Sequence, residues 1–545
     1  GETRQFVVAA ASGIRGQDGQ DTLIERARAF AGTGQPPAQV LGRHIKEYEQ
    51  WFALAPQFTS SDELLDRTWL YRWFLLRHNL ADPKYGYLKY PLFYEGRSHK
   101  KSKTPFGKGG WEFSKLINLS VPLHLMDARW YHDPKYCEGS LLNMAESQNE
   151  EDMFCCLTVD TIMHSFANFG VWAAYELYLV HRDTNVMKRL LPEFKQQIDS
   201  WKKVYGTGID ELMIEWRHTR TGKEYQPSYW YFHDYPKNPK DKTTYTHVKR
   251  VDRTIYHYLN TLGVAKFCEE FGDPEAAKFY ELADKIKRDV LDKMWDEETE
   301  FFYDLHYQTD EKAWVKNIVG FYPYWAEITD DRHAGMINHL FNKEEFNPRC
   351  PFPSVSADNP VYAPGGGWQG LFIKGVNGCV WNGPTWPYTN AITLDALARE
   401  SKRTGHRYDR KFGHYLREYS FLHFSKRDLS QPYLVEHYNS ATGEPISDEP
   451  EYNHSYYIDL IIRHVAGLTV KADHLVLDPV DAGLDFFKLD QIKVAGAFLC
   501  ITWKRPGASG APGDLEDGYR LYANGKQVFA ADTLSRTELP LETLG

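Results

Sequence analysis

Across 545 residues the chain carries 64 Lys and Arg against 74 Asp and Glu, a formal charge of −10 without a long basic run, which excludes a nucleic-acid-binding footprint. No apolar stretch of about 18 residues offers a membrane span. Seven scattered cysteines (Cys137, Cys155, Cys156, Cys268, Cys350, Cys379, Cys500) lack paired spacing and read as buried thiols, not as a zinc site or a disulfide framework. The length exceeds one ordinary core, so two or three domains are expected, or one large closed architecture with appendages.

The opening, GETRQFVVAAASG, lacks the basic and apolar regions of a signal peptide. It enters on a strand-like run with no earlier partner. Residues 1–44 are therefore read as an N-terminal strand and linker, the end of a missing or trimmed β domain, which leaves the compartment open between cytoplasmic and periplasmic or secreted. From 45 to 470 helical signals dominate. SDELLDRTWLYRWFLLRHNL (61–80) opens on a Ser-Asp cap, and VDRTIYHYLNTLGVAKFCEEFGD (251–273) sets Ile255, Leu259, Leu262 and Ala265 at helical spacing before Gly272. Similar runs fall near 158–181, 186–204, 274–294, 386–404, 411–424 and 454–466. Helix pairs of roughly 70 residues over about 420 residues would give about six hairpins, a toroid of paired helices. After 470 the pattern shortens to period two, with Asn524-Gly525 as a hairpin signal, and 471–545 is read as a small β-sandwich.

The loops between the helices hold the unusual chemistry. LKYPLFYEGR (88–97), KEYQPSYWYFHDYPKNPK (223–240), PFPSVSADNPVYAPGGGWQG (351–370) and VWNGPTWPYTN (380–390) are rich in Gly, Pro, Trp and Tyr, and long ordered loops on a rigid scaffold are where function sits. Aromatics make up 15% of the chain, with 16 Trp and 35 Tyr, and such rings also line sites for the apolar faces of sugars. The sequence lacks HExxH, GxxxxGK[ST] and GxSxG, so what remains is carboxylates among aromatics. Hydrolysis of a sugar bond needs two of them, one protonated for the leaving oxygen and one ionised for water. Glu436, flanked by Tyr433, Leu434, Val435 and Tyr438, is costly in an apolar run unless it is paired or functional.

VEHYNSATGEP resembles the Glu-x-Tyr-(Asn/Asp)-x-x-Thr-Gly-Glu segment of the (α/α)6-barrel glycoside hydrolases related to mannosylglycerate and glucosylglycerate hydrolases and glycoside hydrolase family 63. PFPSVSADNPVY and VWNGPTWPYTN resemble two further segments in the same order. The resemblance implies an (α/α)6 toroid over residues 45–470 with a C-terminal β-sandwich, no metal or cofactor, and Glu436 as general base. In the place of the family's general-acid Asp this chain has RTGKEYQP, putting Glu224 there, with Asp210, Glu211 and Glu215 as alternatives. Trp111, Trp368, Trp381 and Trp386 resemble walls of a sugar site, and Tyr438 joins them as a substrate-binding candidate. Ser114 and Asn382 stand where the family carries an Asp and an Arg, so no particular sugar is carried over.

The expected activity is that of an inverting, exo-acting glycosidase on a short oligosaccharide or small glycoside. Its partner is a carbohydrate, with neither nucleic acid nor membrane. A polysaccharide lyase on the same toroid, using Tyr229, His233 and Lys223, and a glycan-binding protein without catalysis are the rivals. His454 reads as a packing histidine at a helix start, and the phenols of Tyr229 and Tyr231 as loop packing.

Overall fold

The computed structural model describes residues 19–32, 37–97, 113–371, 379–447, 449–513 and 515–544. The chain divides into two units, Gly1–Leu54 and Ala55–Gly545. The first holds helices α1 (Gln20–Gly32) and α2 (Pro37–Ala53). Pro37 opens α2 where a missing N–H costs nothing. The strand-like run expected at residues 1–13 lies outside the described residues.

The second unit begins with strand β1 (Gln57–Ser60), followed by α3 (Glu63–His78). Asp62 caps α3 by accepting from the Leu64 N–H, and Glu63 and Asp66 complement its N-terminal dipole. The helices that follow are α4 (Val121–Ala128), α5 (Lys135–Ala145), α6 (Gly170–His181), α7 (Thr184–Tyr205), α8 (Ser228–Tyr231) and α9 (Val251–Phe271). They continue with α10 (Ala276–Asp289), α11 (Tyr322–Trp325), α12 (Pro387–Arg403), α13 (Asp409–Phe421) and α14 (Ile458–Leu460). Gly272 ends α9 in the left-handed region at φ +70°, where a side chain would be strained.

Two kinds of helix alternate. In α6 and α9 nearly every residue is buried, whereas α10 buries Phe279, Ala283 and Ile286 at i, i+4 and i+7. A helix buried all round must lie inside a layer of others, and a one-striped helix must lie outside. The contacts agree: α4 packs on α6, α6 on α9, α9 on α11, α11 on α12, α12 on α14, and α14 on α4. Around these, α5 covers α4, α7 and α10 cover α9, α13 covers α12, and α3 packs on α13. Buried charges tie the seam between the last and first inner helices. Arg129, after α4, binds Glu176 of α6 at 2.5 Å and also Asp459 of α14, and Arg463 reaches Glu176 at 2.7 Å.

Two of the expected helices are shorter than their periodicity suggests. Residues 158–169 are not helical, because Asp160 accepts from the hydroxyls of Thr158 and Thr161 while the Cys156 N–H donates to the His164 carbonyl and the Cys156 carbonyl accepts from the Met163 N–H. Near 454–466 only α14 is α-helical, and it runs into a π-turn over Ile461–Val465.

The C-terminal strands are β2 (Leu468–Val470), β3 (His474–Leu477), β4 (Phe486–Val494), β5 (Ala497–Lys504), β6 (Gly518–Ala523), β7 (Lys526–Ala531) and β8 (Thr537–Pro540). They build an antiparallel five-stranded sheet in the order β1-β4-β5-β6-β7 and a three-stranded sheet in the order β8-β3-β2. Asn524 and Gly525, both at positive φ, make the tight β6–β7 turn. Strand β1, from ahead of all the helices of this unit, pairs Phe58 with Leu489 along the sheet edge.

Candidate active site

A cavity of about 230 Å³ is lined by residues from segments that lead into the inner helices. Phe113, Ile117 and Leu119 precede α4; His164 and Phe166 precede α6; Arg220, Gly222 and Glu224 precede α8 and α9; Trp381 and Trp386 precede α12; Glu436, Tyr452 and His454 precede α14. Chain segments far apart in sequence thus meet at the N-terminal ends of the inner helices. That end carries the positive pole of each helix dipole, a favourable setting for carboxylates.

Glu224 and Glu436 both line this cavity, and Glu95 is a third carboxylate there. Glu224 is fixed through its backbone, whose carbonyl accepts from the Trp381 N–H at 2.8 Å, and its side chain accepts from the Cys379 thiol at 3.2 Å. Gly222, at φ +69°, lets the loop turn beside Leu119, where a Cβ would collide with the leucine side chain. Glu436 is 6% exposed and accepts from the Ser447 hydroxyl at 3.4 Å, with His437 Nδ1 3.7 Å away. The strand-like run around it is anchored by the reciprocal Thr385–Tyr438 backbone bonds at 2.9 Å. Trp381 and Trp386 stack at 3.9 Å, and His437 continues the stack on Trp386 at 4.3 Å.

Burial pushes the Glu95 carboxyl up to about 7 against the pull of Ser120 and Tyr452, which hydrogen-bond to it. Burial lowers His164 to about 4 and holds His454 well below the usual imidazole range, so both are neutral at pH 7. A second cavity of about 690 Å³ shares His164 and Arg220 with the first.

Of the residues singled out in the sequence, the structure brings Glu224, Glu436, Trp381 and Trp386 to one cavity. Four others donate hydrogen bonds to backbone carbonyls elsewhere. Trp368 donates to the Pro236 carbonyl at 2.9 Å and packs on Trp230; Asn382 donates to the Val361 and Gly367 carbonyls. Tyr438 donates to the Leu422 carbonyl, and Ser114 to that of Gly96 at 3.4 Å. These four fasten loops. Trp111 lies outside the described residues. The alternative acids are engaged as well: Asp210 with Lys249 and Lys293, Glu211 with Lys202, and Glu215 with Arg253. Glu95, Tyr452 and His454 were missed as site residues. Glu95 carries the same signal as Glu436, a lone charge in an aromatic run, LFYEG.

The comparisons place the chain among the glycoside hydrolases. A family model described as the mannosylglycerate hydrolase MGH1-like glycoside hydrolase domain matches residues 114–455, and the chain belongs to that family. Among solved structures, a sialidase chain aligns with TM-score 0.70 at 21% identity over 89% of this chain and 41% of its own. The family 63 mannosylglycerate hydrolase from Thermus thermophilus, solved with glucose, aligns with TM-score 0.53 at 13% identity over 72% of this chain and 99% of its own. An uncharacterized protein of Borreliella burgdorferi is 34% identical over 112 residues, which are 19% of this chain and 23% of that protein. The chain therefore spans under a quarter of that curated relative and under half of the sialidase chain. No helix among the described residues is long and apolar enough to cross a membrane.

Proposed function

We propose that the chain is an inverting glycosidase that removes a terminal sugar from a short glycan or small glycoside, with Glu224 as general acid and Glu436 as general base. The observation that carries this reading is that two carboxylates over two hundred residues apart line one cavity beside a stacked tryptophan pair. Glu224 protonates the glycosidic oxygen as the bond breaks, and Glu436 takes a proton from the water that attacks the opposite face of the sugar. The same reading takes the ring of inner helices as a closed six-hairpin toroid, supported by the return of α14 to α4. At about 230 Å³ the cavity is smaller than the roughly 300–1,000 Å³ that holds drug-sized ligands, a size suited to one sugar ring. The adjoining cavity, across His164 and Arg220, would take the leaving portion.

The lyase reading is disfavoured by its own residues. Lys223 is buried against Asp252 at 3.0 Å, and Tyr229 is buried and stacked on Tyr245 at 5.2 Å. The names of the structural neighbours point to different sugars, so none is transferred. A panel of aryl glycosides, read by released phenol and by proton NMR of the first-formed anomer, tests the reading. Inversion is expected on whichever sugar is cleaved, with Glu436→Gln lowering turnover by several orders of magnitude and leaving thermal melting unchanged. Retention of configuration, or normal turnover by the variant, would refute it.

A further inference from the structure

Glu95 is placed and held like a working side chain. It is 3% exposed, yet it lines the same cavity as Glu224 and Glu436. The Ser120 hydroxyl donates to its Oε1, Tyr452 bonds its carboxyl as well, and its backbone carbonyl accepts from the Asn453 N–H at 2.7 Å. The segments around Glu95 and 452–454 are thereby stitched into one wall. His454 belongs to that wall. It is 3% exposed and lines the cavity, and among the described residues neither ring nitrogen has a hydrogen-bond partner. A buried imidazole without partners is expensive unless something entering the cavity supplies them.

We propose that Glu95 and His454 form a sugar-gripping wall that binds hydroxyl groups of a neutral sugar in the cavity. The proposal rests on the glycosidase reading and adds the residues that select the sugar. A carboxylate fixed by two protein hydroxyls keeps lone pairs for further donors, and hydroxyls of a sugar are donors of that kind. His454 supplies one donor and one acceptor, matching a hydroxyl group that both gives and takes a hydrogen bond. Glu436, ionised as the general base, also disfavours a sugar that brings a carboxylate of its own, since like charges in a desolvated site repel, and Glu95 adds to this as it ionises. Arg220, the counter-charge at the cavity, lies where it meets its neighbour.

The grip depends on pH through Glu95. Facing it are Lys115, which favours its ionised form, Glu224, which opposes it, and the phenols of Tyr452 and Tyr388. The Cys156 thiol lies on the same side. With the carboxyl at about 7, the ionised acceptor fills in as pH rises through neutrality, so a sugar hydroxyl is held more tightly on the alkaline side.

Titration calorimetry on the whole chain with D-glucose, D-mannose, D-galactose, L-rhamnose, L-arabinose and D-glucuronate tests this without any turnover. At least one neutral sugar is expected to bind, more tightly at about pH 8 than at about pH 6. Glu95→Gln should weaken it about 10- to 100-fold and flatten the pH dependence, and His454→Phe should weaken it as well. Tyr452→Phe withdraws a donor from Glu95 and should move the midpoint of the pH dependence upward, which keeps the test alive if Glu95→Gln does not fold. The proposal is overturned by unchanged binding in Glu95→Gln, by an unmoved midpoint in Tyr452→Phe, by glucuronate binding best, or by no sugar binding at all. Failure of the glycosidase reading shows separately, as absent turnover in a protein whose sugar binding still answers to Glu95.

Discussion

Glu436 and Glu224 differ in what their loss should do, and the difference is argued from single protons. The base acts on water in every reaction, so Glu436→Gln should slow all substrates alike. The acid acts on the leaving oxygen, so its absence matters least when that oxygen departs unaided. Glu224→Gln is therefore expected to cost about 10²- to 10⁴-fold on an alkyl glycoside and far less on a dinitrophenyl glycoside of the same sugar. Equal losses on both would move the acid role elsewhere, and Glu95 would then be the carboxyl to examine. Glu436 was legible as a lone charge in an aromatic run; Glu95 carries the same signal but was recognised only once the structure placed it in the cavity. His454 was not legible, because a histidine at a helix start looks the same in sequence whether its nitrogens are satisfied by the protein or open to a ligand.

Among the elements, helix boundaries followed from caps and periodicity, and α3, α7, α9, α12 and α13 fall close to the expected spans. What periodicity could not show is which helix is inner, since that depends on neighbours. The buried cluster of Arg129, Glu176, Asp459 and Arg463 makes this measurable. Glu176→Gln leaves two buried guanidinium groups short of one carboxylate, and urea unfolding should show a loss of about 3–5 kcal/mol, the usual result of breaking a buried ion pair. A change below about 1 kcal/mol would place the stability of the α4–α6–α14 seam in its apolar contacts.

The turn between α12 and α13 carries a pH-sensitive contact. His406 bonds Asp409 and, at 3.1 Å, Asp478 beyond the end of β3, and these two carboxylates raise it to about 9. Because its folded value lies above the ordinary 6.5, its stabilisation is complete below 6.5 and is lost as pH rises through 9. The side chain is 36% exposed, so screening limits the effect to about 1 kcal/mol. His406→Ala should lower the melting temperature at about pH 6 and leave it nearly unchanged at about pH 10. An equal drop at both would make the contact one of packing alone.

On the scale of the whole second unit, helices and sheets are built into each other. Strand β1 precedes all the helices of this unit and pairs with β4, the Tyr519 hydroxyl donates to the Ala466 carbonyl, and Arg417 of α13 donates to the Ala482 carbonyl at 2.9 Å. A chain ended at Ala466 would leave β1 and these groups without partners, so it should give no cooperative melting transition and should aggregate, as size-exclusion chromatography and circular dichroism would show. A monomeric truncated chain that melts cooperatively would make the sheets an appendage.

The sequence by itself determined the helical class, the change to strands after residue 470 and one carboxylate that lines the cavity, Glu436, because caps, periodicity and a charge among aromatics are local signals written in neighbouring residues, whereas Glu224 came only from the resemblance to a family. Only the tertiary structure decided that β1 is an edge of the C-terminal sheet, that Trp368, Asn382, Tyr438 and Ser114 fasten loops, and that Glu95 and His454 share a cavity with Glu224 and Glu436. Those facts depend on which distant segments meet when the inner helices close on one another, and no window of sequence contains both partners of such a contact.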